Sequence, residues 1–211
     1  HRPIHEAAKA GLDALLAAFI DRGPGQVEPD LWRLLRVGAY QLALMAGIPP
    51  HAAVSETVGL ARQIGRPQWT GFANGVLRNL SRQLTNKFVT VPSAAAIPVH
   101  GGNGDSAGEA SPFADAPGSS PSERYRLLGR DVFPDPAADP AGYLAAAASY
   151  PRWIVDRWMM HGGIEEAFRL AMWFNTPGRM SLRVNPLRGD RAKLLEVLAT
   201  CGIPAAEGTW P

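Results

Sequence analysis

Between Leu31 and Leu84 apolar residues recur at helical spacing, and the run is cut twice, at Gly47-Ile48-Pro49-Pro50 and at Gly65-Arg66-Pro67. Leu31, Leu34, Leu35, Leu42 and Met45 fall on one face of a 3.6-residue repeat. The pattern predicts a helix from about Asp30 to Ala46, with Asp30 as its N-cap. A second follows from His51 to Ile64, with Val54, Val58, Ala61 and Ile64 inward and Gly65 then Pro67 closing it. A third runs from Thr70 to Leu84, where Gly71 and Gly75 permit close approach to a neighbouring helix at some cost in propensity. An earlier helix over His5–Ile20 places Leu12, Leu15, Leu16 and Phe19 on one stripe and stops at Arg22-Gly23-Pro24-Gly25. Helices with such faces bury them against one another, so the first ninety residues read as an all-α domain.

The charge on these helices is one-sided. Between Leu31 and Thr90 stand Arg33, Arg36, Arg62, Arg66, Arg78, Arg82 and Lys87 against one acid, Glu56. Net charge over all 211 residues is only +2, so the remainder balances a basic first half. Asn74, Arg78, Ser81 and Arg82 share the polar side of their helix, an arrangement suited to phosphates. Two readings fit: a surface for RNA or DNA, or an ordinary solvated face with some arginine stems lying over the core.

Past Thr90 the composition changes. Ala, Gly, Pro and Ser fill 23 of the 31 positions from Pro92 to Ser122, too few large apolar side chains to order a segment, which predicts a linker over 91–122. Order is expected again between Tyr125 and Phe133. The rest, 123–211, reads as a smaller α/β region. A short Ala-rich helix starts at Asp139-Pro140, and another opens at Tyr150-Pro151 with Ile154, Trp158 and His161 along one face. A further helix near Ile164–Phe174 carries Glu165 and Glu166 in its first turn. Met180–Asn185 alternates like a strand, with Met180, Leu182 and Val184 inward and Arg183 and Asn185 toward solvent, RNA or another domain. Asp190 then caps a helix reaching Gly202. One βα unit is visible, with no partner strand for its edges, so the fold reads as incomplete.

Several function classes lack support. No apolar run approaches the roughly 18 residues that span a bilayer, and the N-terminus has no secretory-signal order, so a reduced, cytoplasmic protein without a membrane partner is expected. Cys201 is the only cysteine, which precludes an internal disulfide or a cysteine zinc cluster. His1, His5, His51, His100 and His161 are scattered without metal-ligand spacing, so no metal is expected. His51 reads as structural or solvent-facing, His161 and Cys201 as packed. Gly101-Gly102-Asn103-Gly104-Asp105 lacks the strand and helix a phosphate loop needs. Trp153, Trp158 and Trp173 read as core rather than stacking platforms, while Trp69 lies in a turn that could be exposed. No catalytic set emerges.

Three motifs carry a resemblance. Leu34-Leu-Arg-Val-Gly-Ala-Tyr-Gln-Leu42, Ile48-Pro-Pro-His-Ala-Ala-Val54 and Gly71-Phe-Ala-Asn-Gly-Val-Leu-Arg78 resemble, in the same order, the NusB-like helical domain. The motif from Ile48 to Val54 is similar to the form fused to ribosomal RNA cytosine-C5 methyltransferases of the RsmB type. Ser149-Tyr-Pro-Arg-Trp153, Asn175-Thr-Pro177 and Leu182-Arg-Val-Asn185 resemble the region that precedes the catalytic domain in those enzymes. The resemblance implies RNA, ribosomal by inference, as partner, held by the seven basic residues named above. It implies S-adenosylmethionine only for a catalytic domain. The Cys-Ala-Ala-Pro-Gly-Gly-Lys-type loop and the Pro-Cys nucleophile of that domain are not among these residues, and Cys201, between Thr200 and Gly202, matches neither. The expectation is an RNA-positioning N-terminal portion, inactive alone and holding no cofactor itself. Two alternatives remain: a NusB-like transcription antitermination factor acting with RNA and a ribosomal protein, and a helical protein-interaction scaffold.

Overall fold

The computed structural model describes residues 8–21, 24–45, 47–99, 125–175, 182–187, 189–203 and 205–207. The chain divides into two compact units, His1–Pro177 and Gly178–Pro211. In the first, four helices come in succession: α1 (Lys9–Ala17), α2 (Pro29–Leu44), α3 (Pro50–Gln63) and α4 (Thr70–Gln83). Prolines open α2 and α3, where the first helical N–H has no intrahelical acceptor to lose. α2 is the central rod and buries Leu31, Trp32, Leu34, Leu35, Gly38, Ala39, Leu42 and Ala43. α4 shows its address in sequence, with Ala73, Val76, Leu77 and Leu80 buried at spacings of three and four.

Gly38 sets how closely α2 approaches its neighbours. A Cβ there would lie 2.7 Å from Leu77 Cδ1 and 2.9 Å from Thr57 Oγ1. Both contacts are fully enclosed: Leu77 is wholly buried, and the Thr57 hydroxyl donates to Ala53 O at 2.8 Å within α3. The glycine forgoes roughly 1 kcal/mol of helix propensity so that three helices can meet.

A three-stranded antiparallel sheet continues directly from α4, with β1 (Leu84–Val89), β2 (Ala96–Pro98) and β3 (Tyr125–Leu128) in the order β1-β3-β2. Arg126, on the central strand, fastens it to the helices. Its Nε donates to Thr85 O at 2.7 Å, while Nη1 reaches Leu42 O at 2.8 Å and Ala43 O at 3.3 Å, among the last carbonyls of α2. A cation at a helix C-terminus complements the dipole and satisfies orphan carbonyls together. Burial lowers the Arg126 pKa from its ordinary value.

α5 (Pro140–Ala147) and α6 (Arg152–Asn175) complete the unit. Asp139 caps α5 by accepting from Gly142 N at 2.9 Å, and Tyr143 OH donates to Ala96 O of β2 at 3.1 Å. α5 also packs on α1. Ser149, at a positive φ of 61°, accepts from Gly11 N at 2.9 Å and so satisfies a first-turn donor of α1 from 138 positions away. The resemblance motifs around Tyr150 and Asn175 form one latch here. Tyr150 OH donates to Asn175 Oδ1 at 2.9 Å, and Asn175 Nδ2 donates to Ala148 O at 2.8 Å. Gly163 breaks α6 with φ 81° and ψ −179°, so its two halves correspond to the two helices expected from sequence.

In the second unit, Asp190 caps α7 (Arg191–Thr200) by accepting from Lys193 N at 2.7 Å, and Gly202 follows with φ 70°. No residue of α7 is buried; Leu194, Leu195 and Leu198 are only half-buried.

Several expectations need correction. Asp30 is not the N-cap of α2: Glu28 holds that position and Asp30 lies in the first turn. Gly71 and Gly75 mark no close approach, since a Cβ at either would meet nothing within 4 Å. The sequence pattern does not announce the sheet: Leu84 to Thr90 reads as a helix end, and Pro92 onward as linker, yet Ala96, Ile97 and Pro98 are almost wholly buried. Small residues hide that strand, because its burial comes from neighbours that cover it rather than from its own bulk. The residues 100–122 of the expected linker lie outside the described ones. The strand expected over 180–185 carries no ladder across its described part, 182–185, which has no partner to pair with among the described residues. Ile64, expected inward, is exposed at the end of α3, and Thr57 takes the inward position. We expect Gly38→Val to lower stability by about 3 kcal/mol, the upper end for overpacking a closed core. Thermal unfolding would show this as a fall of roughly 6–12 °C for a unit of this size, with Gly38→Ala milder because it regains helix propensity.

Candidate nucleic-acid interface

The seven basic residues separate into two groups. On α2, Arg33 is ion-paired with Asp30 one turn before it. Arg36 is held more firmly: Nη2 donates to Asp13 Oδ2 at 2.8 Å, Nε donates to Asp13 Oδ1, and Trp32 Nε1 donates to that same oxygen at 2.7 Å. Both partners are about three-quarters covered, so this trio joins α1 to α2 as a structural tie. Asp13 lies eighteen residues before the window in which the basic excess was counted, so a local count could not see it.

The remaining five stand on α3, α4, the turn between them and β1. Arg62, Arg66, Arg78, Arg82 and Lys87 are all exposed. Arg66 lies over the Trp69 ring, its Cζ 5.4 Å from the centroid, and Arg78 Nε donates to Asn74 Oδ1 at 3.0 Å on the polar side of α4. Neither contact consumes the charge, so both guanidiniums keep donors for an anion. Trp69 is buried, contrary to the exposure its turn position allowed, and its Nε1 donates to Glu28 Oε1 at 3.3 Å. Carboxylates hold other arginines elsewhere in the unit. Arg152 beside Asp139, and Arg169 beside Glu166, each draw the acid's pKa below the ordinary carboxylate range.

Arg183 and Asn185 are exposed in the second unit, where Asn185 Oδ1 accepts from Leu187 N at 3.0 Å and shapes a turn. The α6 tryptophans differ from expectation: Trp158 packs edge-on against Tyr150, but Trp153 and Trp173 are 66% and 55% exposed. His161 is exposed, its Nδ1 2.8 Å from Arg157 O, and Cys201 is exposed rather than packed. Helical periodicity reports a stripe without reporting what covers it.

Among the described residues no group of three His, Cys, Asp or Glu could hold a metal ion, and no helix is long and apolar enough to cross a membrane.

If Arg36 is structural, Arg36→Ala lowers the unfolding temperature by leaving Asp13 and its surroundings without their cation, at about 1–3 kcal/mol, while RNA affinity in a binding titration stays within about twofold. Weakened RNA binding at unchanged stability would return Arg36 to the interface.

Comparison with known proteins agrees with this layout. The NusB family profile matches residues 6–82, and the RsmF/B-like methyltransferase ferredoxin-like domain matches residues 150–211. A protein named probable ribosomal RNA small subunit methyltransferase B from Bacillus subtilis is 30% identical over 200 residues, covering 95% of this chain and 34% of its own length. One of the same name from Synechocystis is 25% identical over 188 residues, 89% of this chain and 32% of the relative. The Salmonella arizonae ribosomal RNA small subunit methyltransferase B is 53% identical over 60 residues, 27% of this chain and 14% of the relative. The chain thus spans about a third of the length of the Bacillus and Synechocystis relatives. No solved structure gives a significant match. A NusB segment is followed in one chain by an RsmF/B-like ferredoxin-like segment, and relatives of one name align along nearly all of it, an arrangement consistent with the N-terminal region of RsmB-type proteins.

Proposed function

We propose that this chain binds and positions ribosomal RNA for a cytosine-C5 methyltransferase domain that lies outside these 211 residues. The observation that carries the reading is the pairing of a NusB segment with an RsmF/B-like segment, in a chain aligned over 95% of its length with a relative named for small-subunit rRNA methylation. The disposition of charge supports it. Among the described residues Arg62, Arg66, Arg78, Arg82 and Lys87 form no ion pair on α3, α4, the turn between them and β1, whereas Arg36 is tied to Asp13 and Arg33 pairs with Asp30. Exposed guanidiniums and an ammonium hold a phosphate backbone without reading its sequence. They anchor RNA while a base is presented elsewhere. S-adenosylmethionine belongs, in this reading, to the outside domain, and the cellular compartment is the cytoplasm where ribosomal RNA is made.

The antitermination alternative requires only the helical segment, and the matched ferredoxin-like region at 150–211 weighs against it. A ribosomal-protein partner has no observation of its own here.

Phosphate anchoring has a measurable signature. Log affinity for single-stranded rRNA fragments should fall linearly with log salt at a slope near about −0.7 per phosphate contact. Arg78→Ala combined with Arg82→Ala should weaken binding across sequences and flatten the slope by about 1.4. A salt-independent affinity, or an unchanged slope in the double variant, would favour a protein-docking scaffold.

A further inference from the structure

α1 and α4 end, and the chain leaves β3, around a single polar depression of about 420 Å³, lined chiefly by Phe19, Asp21, Asn79, Arg82, Gln83 and Arg130. What distinguishes it is a set of groups that do not satisfy one another. Elsewhere in this unit arginines beside carboxylates pair with them, as Arg33 does with Asp30, Arg36 with Asp13, Arg152 with Asp139 and Arg169 with Glu166. Here two arginines share a depression with Asp21, and among the described residues no ion pair or hydrogen bond engages the side chains of Asp21, Asn79, Arg82 or Gln83. Arg130 is positioned by an aromatic ring instead, its Cζ 5.4 Å from the Phe19 centroid. Gly129 makes room for the Gln83 amide, because a Cβ there would collide with Gln83 Oε1.

Charge decides what such a site receives. Arg82 and Arg130 contribute two positive charges and Asp21 one negative. The C-terminal carbonyls of α1 and α4 add about half a negative charge each. The sum is close to zero, which gives a phosphate little reason to settle there. A neutral group with donors and acceptors on one edge and a flat face suits it better. Bases of single-stranded RNA are held in this manner, stacked on guanidinium planes and bonded along their edges. Among the four bases, guanine presents two adjacent N–H donors that a carboxylate accepts together, while its O6 and N7 accept from arginine or amide donors. Adenine would set a ring-nitrogen lone pair against the Asp21 carboxylate.

We propose that this depression receives an unpaired guanine of single-stranded RNA, stacked on Arg130 and read at its edge by Asp21, with Asn79 and Gln83 donating to the opposite side. The proposal rests on the RNA-binding reading above and adds base recognition to it. The test compares twelve-nucleotide strands of A and C carrying one central G with the same strands carrying A there, using fluorescence anisotropy with the full chain. Wild-type protein should prefer the G strand by about tenfold, the discrimination expected of one good bidentate contact. Asp21→Asn should reduce that preference to within about threefold, by weakening the G strand and by relieving the repulsion of adenine's ring nitrogen. Arg130→Ala should weaken the G strand more than the A strand. Tight binding of both strands without preference overturns guanine recognition and leaves the RNA reading intact. Equal losses for both strands in Arg130→Ala, with Asp21→Asn unchanged, would make the depression a phosphate clamp and also overturn it. Failure of the wild-type chain to bind either strand would overturn both readings.

Discussion

The first unit turns on how closely α2 lies against α3 and α4 at Gly38, where Leu77 and the Thr57 hydroxyl occupy the space a side chain would need. That approach makes α2 the axis around which the other elements are arranged. Its C-terminal carbonyls receive Arg126 and with it the sheet, while Trp32 and Arg36 in its first half hold Asp13 and with it α1. α1 in turn is capped from Ser149, so residues at opposite ends of the unit depend on one contact geometry. A packed interior transmits such constraints because it has little free volume in which to relax them.

The surface follows from the same axis. Arg36 on α2 lies against Asp13 of α1 and is consumed by structure, and Arg33 pairs with Asp30 at the surface; among the described residues Arg62, Arg66, Arg78, Arg82 and Lys87 form no ion pair and remain available. A single basic excess along the sequence thus becomes, in three dimensions, an internal tie and an exposed set. The exposed set suits a polyanion without sequence preference, and the nearly neutral depression beside Arg82 supplies the chemistry for choosing a base. Backbone anchoring and edge reading call for opposite electrostatics, and the two lie close together near the end of α4.

Much of the helical architecture is legible in the sequence because each signal is local. Apolar spacing, N-terminal prolines and terminal glycines act within a turn or two of themselves, and the resulting helix boundaries of α2, α3 and α4 lie within a few residues of those expected. The sheet is illegible because Ala96-Ile97-Pro98 is buried by Tyr143 and by β3, which arrive from far along the chain. The burial of Trp69, which its turn position left open, was undecided for the same reason: its indole partner Glu28 is 41 positions away. For the candidate site, residue types are readable but pairing is not. Arg36 and Arg78 are alike in sequence, and only the position of Asp13 separates them. Arg130 carries no signal of its own, since it is one of three arginines in a short stretch, Arg124, Arg126 and Arg130, that fits no motif.

The most direct test of this account is ultraviolet crosslinking of the native protein to RNA in its own cells, with both the RNA and the modified peptides identified. The account predicts small-subunit ribosomal RNA joined to peptides from α3, α4, β1 and the segment after β3. Crosslinks confined to the α2 and α5 faces, or the absence of ribosomal RNA among the recovered sequences, would contradict it.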